Sequence, residues 1–234
     1  MSTPPLSDEP RAVAERYARR IVGDRYHPLN PDVWQTVQER QRAVLRLLAR
    51  HGWHDLTRRQ LVEVGSGTGG NLLEFLRAGF LPEHMTGLEL LPERHAQARH
   101  ILPEALALYC GDACQAPIAS ASIDLVFQAT VFSSLLDDRF QQQLADAMWR
   151  WLKPGGAVLW YDFTFDNPRN RDVRGVPLAR VRELFPHGRI EAQRLTLAPP
   201  IARRVCRLSP TLYPLFNALP PLRTHVLAWI AKTL

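Results

Sequence analysis

LVEVGSGTGG, residues 61–70, joins a short apolar strand to a glycine-rich turn, and the NLLEFLRAG that follows has the spacing of an amphipathic helix. Gly65, Gly67 and Gly70 fall at the spacing G-x-G-x-x-G. Strand, tight turn and helix together present backbone N–H groups to a ligand at the carboxyl end of the first strand. A P-loop needs a lysine directly after its last glycine, whereas Asn71 and Leu72 follow Gly70, so that ligand class drops out. A dinucleotide would bring its pyrophosphate to the helix N-terminus, close to Glu63, and an acid is an unfavourable neighbour for a diphosphate. A carboxylate at that strand end suits a ligand that presents a cation.

Two more acids stand at later strand ends. MTGLEL places Glu89 about 20 residues after the loop, the distance at which an acid takes ribose hydroxyls. CGDA places Asp112 after a third strand, where it can accept from an adenine amino group. Taken singly, each acid is an ordinary solvated turn residue. In order at three strand ends they describe a nucleoside site with a cation at its far end, and S-adenosylmethionine, with an ammonium beside a sulfonium, has that layout. An NAD(P) oxidoreductase shares the glycine spacing and Glu89, but Glu63 and the lack of an obvious Tyr/Lys hydride-transfer pair weigh against it.

Outward from this stretch the chain alternates. AVAERYARRIV reads as a helix behind a disordered first dozen residues. Asn30 as N-cap and Pro31 at the first helical position then open a long helix that Gly52 closes. After LVEV and its helix come MTGLEL strand, PERHAQARHIL helix, LALYC strand, IDLVFQA strand, DRFQQQLADAMWRWL helix and AVLWYDF strand. That order predicts an α/β, Rossmann-like, doubly wound, mostly parallel sheet with helices on both faces. The helix LARVRELF and the strand RIEAQRLTL follow, then six prolines between 198 and 222 that suggest broken short helices. VLAWIA, 226–231, is apolar at both parities, as a strand buried on both faces is, with a short helix as the competing reading. The resulting division is an N-terminal helical extension and lid over 1–56, a cofactor-binding core over 57–165, and a completing segment with a Pro-rich helical cap over 166–234.

EVGSGTG at 63–69, the acid in LELLPE, GDA at 111–113, IDLVFQATVFSSLLDD and LKPGG at 152–156 together resemble class I S-adenosylmethionine-dependent methyltransferases, in particular small bacterial methyltransferase-domain proteins. The resemblance covers residues 61 to about 165. It implies seven strands with an antiparallel last one, for which VLAWIA is the candidate, and LKPGG as the turn into the fifth strand. It implies that Gly65, Gly67 and Gly69, with Ser66, approach the methionine part, Glu89 and Leu90 the ribose, and Asp112 with Ala113 the adenine; Tyr26, Glu63 and Gln128 complete the expected cofactor set. RYHPLNP and the tail from DNPRNRDVRGVP through LPPLRTH resemble a subset encoded with polysaccharide or O-antigen genes, which points to a hydroxyl on a sugar or glycan, or another small acceptor.

Methyl transfer from a sulfonium is an in-line displacement that depends on holding the nucleophile near the methyl. An oxygen nucleophile also gains from a base within hydrogen-bond reach, for which Asp162 and His27 are the candidates. The plain readings are that Asp162 caps its strand end and His27 orders a linker. Ser133 is a candidate for acceptor hydroxyls, beside ordinary helix capping. Arg169, Arg171 and Arg174 form a cationic loop for a phosphate or carboxylate, with Asp166 and Asp172 inside it as competing surface partners. No His, Asp and Glu cluster at metal spacing stands out, so no metal is expected.

Of 234 residues, 29 are Lys or Arg and 23 Asp or Glu, a net charge of +6. No acid follows Glu191, while Arg194, Arg203, Arg204, Arg207, Arg223 and Lys232 do. Such a tail suits a solvated face, an anionic membrane surface, a lipid-linked acceptor or, as a non-catalytic alternative, an anionic partner. Nucleic acid is the weaker partner, because no stacking aromatics interleave the arginines. No apolar run approaches the roughly 20 residues of a membrane span, and the N-terminus lacks a signal peptide's basic start, so a cytoplasmic protein is expected. Cys110, Cys114 and Cys206 are expected to be reduced and packed.

Overall fold

The computed structural model describes residues 8–20, 23–168 and 170–233. In chain order the elements are α1 (Glu9–Ala18), α2 (Pro31–Arg50), β1 (Leu61–Val64), α3 (Gly70–Ala78), β2 (Met85–Glu89), α4 (Pro92–Ile101), β3 (Ala107–Cys110), β4 (Ile123–Ala129), α5 (Asp138–Trp151), β5 (Leu152–Phe163), α6 (Leu178–Leu184), β6 (Gly188–Leu197), α7 (Pro199–Leu208), α8 (Tyr213–Asn217) and β7 (Arg223–Lys232). The strands form one seven-stranded sheet ordered β3-β2-β1-β4-β5-β7-β6. β1 to β5 run parallel, and β7 is antiparallel to β5 and β6, with Tyr161 opposite Leu227 and Asp162 opposite Val226. VLAWIA is thus the strand the sequence suggested. Its residues 226–230 are buried, as a strand covered on both faces must be.

Alternation along the strands feeds two cores. Val62, Val64, Val158 and Trp160 join α1, α5 and α6 on one face, while Leu61, Phe127, Leu159 and Trp229 join α2, α3 and α4 on the other. The chain leaves β1 toward β2 and β3, then crosses to β4 on the other side of β1. That reversal opens a crevice at the carboxyl ends of β1 and β4.

Several local expectations change. Asn30 stands at the start of α2, but its amide donates to the Asp24 carbonyl (2.7 Å) rather than capping the helix. α5 has the side-chain cap: Asp137 accepts from the N–H groups of Arg139 and Phe140. LKPGG is not a free turn. Ile123 pairs with Leu152 and Leu125 with Ala157, so the extra residues bulge out of β5, and Gly155 takes φ +80° to allow it. The helix expected after a disordered first dozen residues already begins at Glu9, because that side chain is anchored to a distant loop. Cys110 is exposed rather than packed, since β3 is the edge strand of the sheet; Cys206 is buried and Cys114 half-buried. Among the described residues no helix is long and apolar enough to cross a membrane.

Candidate functional site

A cavity of about 150 Å³ lies in the crevice, lined by Val64, Gly65, Glu89, Leu90, Asp112 and Ala113 from the ends of β1, β2 and β3, and by Thr130, Val131 and Ser134 after β4. Gly65 has φ +67°, and a Cβ there would stand 2.5 Å from Val131 Cγ2. The turn therefore needs glycine both for its backbone and for its approach to the β4 loop.

The three acids are held in different ways. Glu89, 5% exposed, accepts from the Gly67 N–H with one oxygen (2.7 Å) and from the Leu91 N–H with the other (2.8 Å). It ties the glycine loop to the start of α4 and keeps the second lone pair of each oxygen for a ligand. Asp112 accepts from the Cys114 N–H (2.9 Å) and fixes the turn that carries Ala113. Glu63 is fully buried on the α2 and α3 side of β1. Its Oε1 accepts from Asn71 Nδ2 (2.6 Å), while its Oε2 is buried without a hydrogen-bond partner. Burial pushes this carboxyl up to about 8, against the opposing pull of the Asn71 bond and the Arg40 charge. Ser66 is buried, and its N–H donates to the Leu88 carbonyl. Gln128 braces the β4 end: its Oε1 accepts from Val131 N–H (3.1 Å) and its Nε2 donates to the Tyr161 carbonyl (3.4 Å).

One wall of this cavity is α1, which contributes Pro10, Val13 and Tyr17 to the lining. Glu9, 7% exposed, accepts from Arg16 Nη2 and from the Leu136 N–H (2.6 Å), and Arg16 also donates to the Ser134 carbonyl (2.9 Å). The Tyr17 hydroxyl meets Ser134 Oγ at 3.3 Å, and the Arg20 and Arg94 guanidiniums stand 4.1 and 4.6 Å from its ring centroid. Sequence reasoning missed this docking because its partners lie more than a hundred residues apart. Tyr26, 68% exposed, and His27, whose Nδ1 accepts from the Leu29 N–H, stay in the loop ahead of α2 and line neither this cavity nor the groove between α2 and α3.

Asp162 lines neither cavity. It is fully buried beneath the β4 loop, accepting from the N–H groups of Ser133 (3.1 Å) and Phe163 (2.9 Å). Burial pushes its carboxyl up to about 7. Its geometry is that of a strut for residues 130–134, and Ser133, 1% exposed, is part of that strut. Arg174 pairs with Asp138, Asp172 with Arg19, and Asp166 accepts from the Gly175 N–H, so the loop charges are largely consumed by surface partners. Arg171 is exposed, and Arg169 lies outside the described residues.

A second group of side chains, absent from the sequence reading, meets at the strand ends on the α2 side. Arg40 donates to Asn71 Oδ1, and its guanidinium stands 5.1 Å from the Tyr161 ring centroid. The Tyr161 hydroxyl bonds Thr196 Oγ1 (2.7 Å), and its ring stacks on His225 (centroids 5.0 Å apart). Burial pushes Tyr161 up to about 12, and burial with the Arg40 charge pushes His225 down to about 4, so both are neutral at pH 7. In the sequence Arg40 reads as the wet face of a helix, and Tyr161 and His225 as strand filler. Only knowing that α2 crosses β5 and β7 brings them together.

Residues 62–160 match the family model described as methyltransferase domain, Methyltransf_11. The biotin biosynthesis bifunctional protein BioHC of Cellvibrio japonicus is 31% identical over 126 residues, which is 53% of this chain but 24% of that protein; the match spans about a quarter of its length. Among solved structures, geranyl diphosphate C-methyltransferase from Streptomyces coelicolor, in complex with Mg²⁺, geranyl diphosphate and S-adenosyl-L-homocysteine, superposes with a TM-score of 0.68 at 14% identity, covering 98% of this chain and 100% of that one. A S-adenosylmethionine-dependent methyltransferase from Archaeoglobus fulgidus gives 0.59 at 13%, covering 84% and 96%. Among the described residues here, no group of three His, Cys, Asp or Glu side chains stands together as a metal site would require. Residues 62–160 thus match a methyltransferase domain, and the seven-stranded sheet around them shares its fold with these S-adenosylmethionine-dependent methyltransferases of known structure.

Proposed function

We propose that the protein transfers the methyl group of S-adenosylmethionine to a hydroxyl of a small acceptor, with a sugar or glycan precursor, free or lipid-linked, as the class to test first. The observation that carries the cofactor assignment is the buried, unpartnered Oε2 of Glu63. A buried carboxylate oxygen without a donor is unfavourable by itself and is relieved by a cation. The rest of the donor set supports the same molecule: Glu89 has lone pairs for ribose hydroxyls, and Asp112 and Ala113, assigned to the adenine, line the same cavity with α1 along its apolar wall. S-adenosylmethionine supplies a methyl group on a sulfonium, with a neutral thioether as leaving group.

Toward the acceptor, the chain offers Tyr161 and His225 at the strand ends on the α2 side. A neutral imidazole accepts the hydroxyl proton as the oxygen–methyl bond forms. With a value of about 4, His225 is a weak base, so alignment supplies more of the acceleration than proton transfer does. Asp162, buried under Ser133, holds the β4 loop and leaves the proton to His225. The sugar class rests on the resemblance of RYHPLNP and the segment after residue 165 to proteins encoded with polysaccharide genes.

The test combines calorimetric titration with S-adenosylmethionine and S-adenosylhomocysteine with mass spectrometry of nucleotide sugars and glycan intermediates incubated with enzyme and cofactor. Binding of both cofactors and a gain of about 14 Da on a hydroxylated acceptor are expected. Failure to bind either cofactor overturns the proposal, and methylation confined to nitrogen or carbon acceptors overturns the hydroxyl assignment.

A further inference from the structure

α7 and α8 interrupt the sheet between β6 and β7, and the chain order puts them at the carboxyl end of the sheet, the end that carries the cofactor crevice. Each turns one side inward: Ala202, Val205 and Cys206 of α7 and Tyr213 and Asn217 of α8 are buried. The other side is unusual for a surface in water. Leu208 is 82% exposed, Leu215 66%, Leu219 54% and Phe216 37%. Four large apolar side chains within twelve residues are open to water, whereas single exposed hydrophobics scattered over a surface need no explanation.

The start of α2 packs against this cap. Thr36 Oγ1 meets the Tyr213 hydroxyl at 3.4 Å, Glu39 accepts from Tyr213 and Asn217, and burial, with the Asp32 charge adding to it, pushes the Cys206 thiol up. Leu29, 84% exposed, and Trp34, 47% exposed, belong to the loop before α2 and to its beginning. On the outer side of α7, Arg204 and Arg207 are exposed and Arg203 is half-buried, and no acid occurs in the chain after Glu191. Apolar side chains and arginines thus occur together on one cap.

We propose that this cap is a docking surface for an anionic lipid bilayer, with Leu208, Leu215, Phe216 and Leu219 entering the headgroup boundary and Arg204 and Arg207 meeting lipid phosphates. Amphipathic segments bind membranes by this combination of buried apolar area and basic charge, and an aromatic such as Trp34 is favoured at the interface. A protein partner would leave the acid-free stretch unexplained unless it were itself strongly acidic, whereas an anionic leaflet matches both features. Docked this way, the open end of the sheet faces the membrane, so an acceptor carried on a lipid reaches the strand ends without leaving the bilayer surface. The docking stands independently of the methyl-transfer reading; only the delivery of acceptor rests on it.

The experiment is co-sedimentation of the full chain with vesicles of phosphatidylcholine alone and of phosphatidylcholine with phosphatidylglycerol, at low and high salt. Binding to the anionic vesicles only, weakening with salt, is expected. Arg204→Gln with Arg207→Gln should lower the partition coefficient roughly 25-fold, about fivefold per arginine. Leu208→Ser with Leu215→Ser should abolish it while the thermal unfolding curve stays unchanged, because both side chains are already in water. No association with anionic vesicles at low salt, or equal binding by wild type and both variants, overturns the proposal. A sedimentation-velocity dimer that the leucine variant dissolves, without vesicle binding, also overturns it and gives the cap to a second copy of the chain. Because vesicle binding is read without any methyl transfer, its failure and that of the catalytic reading are separable.

Discussion

Glu63→Gln isolates the charge at the site's most unusual atom. Glutamine keeps the shape and lets Asn71 Nδ2 go on donating to an Oε1, but it puts an N–H₂ donor where the unpartnered oxygen stood. A hydrogen bond to a charged group contributes about 1.5–3 kcal/mol, so the variant should bind S-adenosylmethionine roughly 10- to 150-fold more weakly. S-adenosylhomocysteine keeps the ammonium and loses the sulfonium. An equal loss for both ligands assigns Glu63 to the ammonium, and a loss for S-adenosylmethionine alone assigns it to the sulfonium. The pH dependence is sharper still. With its carboxyl at about 8 in the free protein, Glu63 must lose a proton to meet the cation, so wild-type affinity should rise by close to tenfold between pH 6 and 7, about 1.4 kcal/mol. The glutamine variant should lack that slope. Without ligand the sign reverses: a carboxyl raised from 4.5 to about 8 adds stability below 4.5 that disappears as pH rises through 8. The variant should therefore match wild type in melting temperature at pH 5 and exceed it at pH 9. Calorimetry and thermal melts across this range read both effects. Equal affinities and parallel pH slopes for the two proteins would refute the assignment of a cation to Glu63.

Three further substitutions probe the crevice. Gly65→Ala combines positive φ with a methyl 2.5 Å from Val131, so at least about 1–2 kcal/mol of backbone strain is expected together with loss of cofactor binding; an unchanged melting temperature contradicts the stated geometry. Arg16→Ala removes the cation from a buried ion pair with Glu9, a change that costs up to about 3–5 kcal/mol. Faster amide exchange across Glu9–Ala18 and weaker cofactor binding should accompany it, and normal exchange with normal affinity would deny α1 its part as a wall of the site. Asp162→Asn removes a carboxyl that burial raises from 3.8 to about 7. Its stabilising contribution is present below 3.8 and lost as pH rises through 7, so the variant's melting temperature should fall less than wild type's between pH 4 and pH 7. If methyl transfer collapsed in this variant while its affinity and stability held, Asp162 would be the base and His225 would not.

What could be read from the chain divides by the range of the interactions that decide it. The glycine turn, the acids at three strand ends and the alternation of helix and strand depend on neighbours within a few residues, and the sheet has the expected seven strands with β7 antiparallel. In the sequence the lid falls to the whole segment 1–56, Tyr26 and His27 included. The cavity wall that this segment supplies is α1, whose Glu9 finds its donors at Arg16 and, 127 residues on, at Leu136. Asp162 looked like a base because strand ends collect ligands, but the pleat turned it under Ser133 while its neighbour Tyr161 went to the opposite face. A one-residue difference in strand position thus separates a strut under the β4 loop from a ring on the α2 side of the sheet. Sequence periodicity sees that alternation but does not say which face the acceptor approaches. That choice is made by α2: in crossing the sheet it carries Arg40 to Asn71, and through Asn71 to Glu63. Arg40 also lies beside Tyr161, so one helix links the buried Glu63 carboxyl, proposed to meet the cofactor, to the side chains proposed to hold the acceptor. Displacing α2 should therefore disturb cofactor and acceptor binding together.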